Sequence, residues 1–471
     1  MTTAGRDGRL PLGLALAFAA TSLPLQALAI AVAVHLPAYF AASIGVELAV
    51  VGAAFGLARM IDVPIEPALG LAMDRTRTRW GRYRFWTLLG APFLMAGLFL
   101  LLQADRSIGT AGLVGFLLIM YLGSSMLLLS HSAWASTLAR SYDDRARLFG
   151  VMVAVGVTGA VSVLLFPIVM DRMGYSEPEA VRAMIWYLIA LTPIAVLLVV
   201  WRTPETVMRD APGVRFRLRD YGELVFDRNM SRVIVADLAL GMGPGWMAAL
   251  YLFYSRDFMG LTSSQANILL LIYIVSGIVG APSLAWLATR IGKHRAVIAA
   301  ALVYSLLLVT LPFLPKGNLL AMAPTMFFTG FMATSFNVLT RAMTADVADE
   351  MRLRQGKERG GVLYALTTLT NKIAAGVGIS LTFWVLGQTG YDPKAGAANT
   401  PEAVQSLMLV FLAGPIVFVS LGAFTLLGYG LTPERAAEVR RQLDAREALA
   451  GSAGALEGLT GEEMTAPGPA R

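Results

Sequence analysis

Three features of the sequence predict an all-α integral membrane protein with twelve transmembrane helices in two halves of six. The chain is 56% hydrophobic and only 15% charged, against about 25% charged for an average soluble domain; its mean hydropathy is +0.64. Apolar blocks of the roughly 20 residues needed to cross a bilayer fill most of its length. Arginine and lysine gather in every second loop, as membrane orientation demands. The alternating segments of about ten residues that mark a transmembrane β-barrel do not occur.

The first span, 12–38, follows an arginine-containing N-terminus without a clear cleavage site, so it reads as an uncleaved span and not a signal peptide. The next five are expected at 47–72, 85–104, 109–138, 147–170 and 182–202. The second six are expected at 231–256, 265–289, 295–314, 319–345, 360–388 and 405–430. The domain expectation is an N-terminal bundle over 1–202, a polar central loop over 203–230 and a C-terminal bundle over 231–430. The tail, 431–471, starts as a charged helical piece and ends in a segment expected to be disordered.

Arg75, Arg77, Arg79, Arg82 and Arg84 follow span two, and Arg140, Arg145 and Arg147 follow span four. Basic residues also crowd the central loop and the loops after spans eight and ten. The alternate loops hold one or two each at most. This asymmetry places both termini in the cytoplasm of a cell with the chain in its inner or plasma membrane. It also accounts for the net charge of +7, so no nucleic-acid partner is expected. The chain has no cysteine, and His35, His131 and His294 are too scattered for a metal centre. There is no nucleophile–base pair or phosphate loop, so neither an enzyme nor a cofactor is expected. The partners expected are a small-molecule substrate and the lipid bilayer, with the chain acting as a monomer.

The halves echo each other. Pro67, Gly70 and Asp74 lead to Gly81-Arg82-Tyr83-Arg84, and Pro282 leads to Gly292-Lys293-His294-Arg295. Such weak internal symmetry marks a repeat-built transporter.

Span two holds Arg59, Asp62 and Glu66. A charge at the bilayer centre costs about 2.5–3.5 kcal/mol on insertion scales, so three in two turns need a reason. The spacing puts both carboxylates on one helix face, with Arg59 one turn earlier. An internal salt bridge locking the helix is one interpretation, although buried ion pairs are often no gain over apolar packing. A cation or proton site is the other.

Residues 59–86 follow the pattern R-x-x-D-x-x-x-[DE]-P-x-x-G-x-x-x-D-x-[ST]-x-[ST]-x-W-G-[KR]-[FY]-[KR]-x-W. A second set comprises Ala345-Asp346-Val347-Ala348-Asp349, the run Gly356 to Ala365, and Asn371-Lys372; Ser141 to Arg145 adds a third. In these motifs the chain resembles the glycoside–pentoside–hexuronide:cation symporters, the melibiose-permease-like branch of the major facilitator superfamily. The resemblance implies two six-helix bundles around a central cavity that opens alternately to either side, and a solute that moves with Na⁺, Li⁺ or H⁺. It implies a cation-coupling site at Asp62 and Glu66, with Lys372 across the cavity and Arg59 as local counter-ion. It also implies that Asp74, Arg75, Arg82 and Arg84 form a cytoplasmic gate, to which Arg341 and Asp346 are added.

Departures from that family's pattern matter as much. Ile65 stands where an asparagine is expected, and Met126 to Trp134 contains no acid. Gln26 falls at the helix-one aspartate and Val155 near the helix-five arginine. A galactoside substrate therefore does not follow. H⁺ is preferred slightly over Na⁺, which needs several oxygen ligands, with Ser130 or backbone carbonyls as substitutes for those lost. Candidate substrate contacts are Gln26, His131, Trp134, Asp237, Tyr364 and Trp384, with His131 assigned to the extracellular-to-middle part of span four. Gly241 to Gly245 is expected to bend span seven. The function expected is a secondary active transporter of a small solute, a sugar or glycoside by resemblance. A carrier of a non-sugar or amphiphilic solute is the alternative, and a non-transporting scaffold or assembly factor is the rival of another class.

Overall fold

Inside a bilayer the backbone finds hydrogen-bond partners only in itself, so long apolar runs close into helices. The computed structural model describes residues 10–139, 142–205, 226–355, 360–394 and 396–446. Among them are twelve helices long and apolar enough to cross a membrane, and no strand. The first six are α1 (Leu12–Ile44), α2 (Leu48–Arg75), α3 (Arg82–Gln103), α4 (Thr110–Leu138), α5 (Tyr142–Arg172) and α6 (Glu177–Arg202). The second six are α7 (Arg228–Phe258), α8 (Ser263–Ile291), α9 (Lys293–Phe313), α10 (Leu319–Gln355), α11 (Gly360–Gly387) and α12 (Pro401–Thr425). Helix α10 runs well past the expected end at residue 345. Its last turns carry Asp346, Asp349, Glu350, Arg352 and Arg354, so this extension belongs in water beyond the apolar span.

The packing follows the internal repeat. Helix α4 packs on α2 and α3, and α1 on α5; in the second half α10 packs on α8 and α9, and α7 on α11. The halves meet through α1 with α7, α2 with α11 and α5 with α8, a set that maps onto itself when the halves are exchanged. The result is the major facilitator fold, two six-helix bundles.

Lipid is as apolar as leucine, so these helices are held by close packing at small residues. A Cβ on Gly97 of α3 would fall 2.3 Å from the Met120 backbone nitrogen of α4. Between the halves, a Cβ on Gly52 would stand 2.9 Å from the Phe383 Cβ, and one on Gly56 would stand 1.7 Å from Ser380 Oγ. The Ser380 hydroxyl also donates to the Gly52 carbonyl at 2.7 Å. These contacts lie at the start of α2, on the side of the molecule remote from the arginine loop. The Gly241 to Gly245 run is helical throughout. There Gly243 lets α12 approach, since a Cβ would meet Val419 at 2.5 Å.

Candidate functional site: a buried charge cluster beside a cavity

Helix α2 carries Pro64 and Pro67 in its interior. Each removes a backbone donor, which loosens the helical ladder where the charged residues sit. Asp62 is 1% exposed, and its oxygens are fully engaged. Lys372 Nζ, from α11, stands 2.6 Å from Asp62 Oδ2 and 2.6 Å from Glu66 Oε1. Arg59 lies 3.4 Å from the same Asp62 oxygen, and its guanidinium sits 4.2 Å over the Tyr121 ring. Ser125 of α4 donates to Asp62 Oδ1 at 3.0 Å. Two cations and two carboxylates thus sum to zero, which is how four ionised groups are tolerated away from water.

The expected partners therefore meet, and by direct contact, not merely across a cavity. The hydroxyl beside the carboxylate is Ser125, and not Ser130. Ser130 instead faces Thr87 at 2.9 Å and the Leu127 carbonyl.

A cavity of about 350 Å³ opens against this cluster. Arg59 and Lys372 line it, with Gln26 and Ser22 from α1, Ser124, Ser132 and His131 from α4, and an apolar wall from α5. Gln26 is thus a wall residue, and it is held close to α5 because a Cβ on Gly156 would meet it at 2.8 Å. His131 lies near the arginine-loop end of α4, not in its far half as expected. One ring nitrogen is 2.8 Å from the Phe18 carbonyl, and the imidazole stacks on Phe18 at 4.4 Å.

Three other candidates do not reach the cavity. Trp134 is 1% exposed, donates to the Pro204 carbonyl at 3.3 Å and packs edge-on to Phe18, so its indole is a structural anchor. Trp384 is 57% exposed on the outer face where α2 and α11 meet. Asp237 is buried in the second bundle, where Thr340 donates at 2.6 Å, Thr370 at 2.5 Å and Asn371 at 3.0 Å. The side chain of Tyr364 lies outside the described residues.

The arginine loop closes on its own half. Arg82 pairs with Asp74 at 3.2 Å. Arg84 donates to the Thr203 carbonyl at 2.6 Å. Arg75 is exposed with no carboxylate within 4 Å among the described residues. Arg341 and Asp346 do not pair: Lys293 takes both Asp346 oxygens at 2.7 Å.

Sequence reasoning missed the residue that organises this loop. Glu205 accepts from the backbone nitrogens of Arg82, Tyr83 and Arg84 at 2.6, 2.8 and 3.0 Å. It is a remote carboxylate capping the α3 N-terminus, where unpaired N–H groups and the helix dipole favour an anion. Gly81 turns the chain into that cap with φ 105, a region closed to side chains. The second half repeats the glycine turn, though among the described residues no hydrogen bond from the start of α9 reaches Glu434. Gly292 precedes α9 with φ 93 and abuts Pro433, 3.0 Å from where a Cβ would be. A hydrogen bond from Thr432, and then the charge of Arg295, hold the next residue, Glu434, below the usual carboxylate range. The signal was available: Thr-Pro-Glu occurs at 203–205 and again at 432–434, just beyond the last helix of each half.

A sequence family described as "MFS/sugar transport protein" matches residues 17–433. An isoprimeverose transporter of Lactiplantibacillus pentosus is 24% identical over 446 residues, covering 89% of each chain. A glucuronide carrier protein homolog of Escherichia coli (strain K12) is 25% identical over 431 residues, covering 88% of this chain and 92% of that one. A sodium-dependent lysophosphatidylcholine symporter 1 of Xenopus tropicalis is 22% identical over 435 residues, covering 82% and 81%. Among solved structures, the nucleoside transporter NupG superposes with a TM-score of 0.67 at 14% identity, covering 89% of this chain and 99% of that one.

Proposed function

Because the chain belongs to the glycoside–pentoside–hexuronide:cation symporter family of the major facilitator superfamily, we propose that it couples solute movement to a cation at Asp62, Glu66 and Lys372. The observation that carries this is the bridging ammonium, 2.6 Å from a carboxylate on each side, at the point where the two halves meet. A cluster with zero net charge is stable while empty. Adding a cation to a carboxylate weakens its hold on Lys372, which is the residue of the cluster contributed by the second half. Cation binding thus loosens the tie between α2 and α11, and the halves become free to rock about the cavity. This is alternating access with the ion as its trigger.

A proton is the preferred ion. Among the described residues, Ser125 is the one hydroxyl within hydrogen-bond distance of Asp62, and Ile65 offers no oxygen, whereas hard cations gather several. The cavity beside Gln26, Ser132 and Lys372 receives the solute, a sugar or glycoside in keeping with the named relatives. Positive charge on the arginine loop supports an orientation in a cell membrane with that side facing the cytoplasm.

The test is solute flux in proteoliposomes with an imposed ΔpH or ΔpNa. Uptake driven by ΔpH and lost in Asp62→Asn and Glu66→Gln is expected. Gradient-driven uptake that survives in both variants sinks the mechanism.

A further inference from the structure

We propose that the outer face of α8 and α10 binds an anionic phospholipid, its acyl chain in a groove between the two helices and its phosphate on Arg290. The site is separate from the central cavity and does not depend on the solute or the coupling ion.

The exposed tryptophans are of two kinds. Trp80, Trp201 and Trp286 stand toward the arginine-loop end of the molecule. Each has a guanidinium over its ring: Arg79 at 5.8 Å, Arg202 at 5.1 Å and Arg290 at 5.4 Å. Trp186 and Trp384, exposed nearer the opposite end, carry no such cation among the described residues. An indole seats at the level of the lipid headgroups, and a guanidinium beside it matches a phosphate.

The Trp286–Arg290 pair also borders a groove of about 590 Å³. Helices α8 and α10 cross tightly at small residues. A Cβ on Gly280 would stand 2.6 Å from the Phe331 carbonyl oxygen, and one on Gly330 would stand 2.1 Å from that of Tyr273. Past this crossing, toward Arg290, the groove is lined by Pro282, Trp286 and Leu287 of α8 with Phe331 and Met332 of α10. Ser283 also lines it, but its hydroxyl is spent on the Val279 carbonyl at 2.7 Å. Val275, Ile278, Val279 and Trp286 recur at helical spacing and are all exposed. That apolar face of α8 therefore belongs against lipid.

Arg290 lies one turn beyond Trp286 and is exposed. No carboxylate stands within 4 Å of it among the described residues. Asp346, on the α10 extension, is taken through both oxygens by Lys293. An unpaired cation at the end of an apolar groove is complementary to a lipid with a negative head and an acyl chain. Anionic lipids are characteristic of the cytoplasmic leaflet, where basic pockets between helices hold their heads. A zwitterionic lipid brings its own ammonium toward Arg290, and a soluble phosphate leaves the groove unfilled.

The test is native mass spectrometry of the purified full chain, equilibrated in micelles with equal amounts of dioleoyl phosphatidylglycerol and dioleoyl phosphatidylcholine. We expect the most tightly held lipid to be phosphatidylglycerol by about fivefold, the attraction of one arginine near a membrane surface. Arg290→Gln lowers that preference to about twofold or less, and Arg290→Lys keeps it. Arg202→Gln, at a tryptophan pair outside the site, leaves it unchanged. Ser283→Phe fills the groove and reduces retention of both lipids although Arg290 is intact. All four variants should elute as the wild type on size exclusion. Equal retention of the two lipids by the wild type, or a preference that survives Arg290→Gln, overturns the proposal. So does displacement of the bound lipid by sn-glycerol 3-phosphate as readily as by fresh phosphatidylglycerol, since that would mean a site for the head alone.

Discussion

The ammonium of Lys372 lies 2.6 Å from a carboxylate oxygen of Asp62, although the two residues are 310 positions apart in the chain. One buried ion pair therefore joins the two halves of the transporter. Removing one partner of such a pair strands the other charge, at a cost of about 3–5 kcal/mol. Lys372→Met is expected to lower the thermal stability of the detergent-purified protein by an amount in that range. Adding Asp62→Asn should restore most of it while gradient-driven uptake stays absent. Restored uptake in the double variant would show that the pair serves packing only.

The contact between α2 and α11 at Gly52 and Phe383 offers a lock. Disulfide geometry asks for Cβ atoms about 3.5–4.5 Å apart; a Cβ on Gly52 would stand 2.9 Å from that of Phe383, so the two helices must part slightly to admit the bond. Because the chain has no native cysteine, Gly52→Cys with Phe383→Cys introduces the only thiols. Oxidation should form the bond and halt flux, and reduction should restore it. Undiminished flux in the oxidised protein would mean that this interface need not open.

Glu205 is expected to matter through three backbone N–H groups. Glu205→Gln weakens the cap and presents an amide to those donors, for a loss of about 1–2 kcal/mol. Gly81→Ala should be worse, because a Cβ would lie 2.1 Å from a Glu205 oxygen and the backbone has φ +105. Combining Gly81→Ala with Glu205→Ala removes the clash but not the backbone strain. Melting temperatures of the four proteins should rank accordingly, with Gly81→Ala lowest.

Asp237 separates a framework role from a ligand role. Its three donors all belong to α10 and α11, so Asp237→Asn sets an amide against them and should cost about 1–3 kcal/mol of stability. Solute Kd should stay within about twofold, since 1 kcal/mol or more would accompany a lost ligand contact. A tenfold rise in Kd would return Asp237 to the binding site.

Much of the fold and part of the site are legible in the sequence. Hydropathy separates lipid from water, and the alternate basic loops set the span count. Helical periodicity puts Asp62 and Glu66 on one face, and the cost of burial makes them conspicuous. Aromatic residues mislead, because Trp134 and Trp384 satisfy a cap carbonyl and an outer surface as readily as a cavity. Ser125 and Glu205 escape notice for a different reason: a serine in a helix and a glutamate in a loop carry no cost that demands explanation.

The sequence by itself determined which segments leave water, how many there are, and which of them bear charge that must be neutralised. It did so because transfer to lipid is a property of each residue and its near neighbours. Which charges neutralise which was decided only by the tertiary structure. Pairing Lys372 with both Asp62 and Glu66, or Glu205 with the start of α3, requires two helices to be brought together by their small-residue contacts, and periodicity within one helix holds no information about its neighbour.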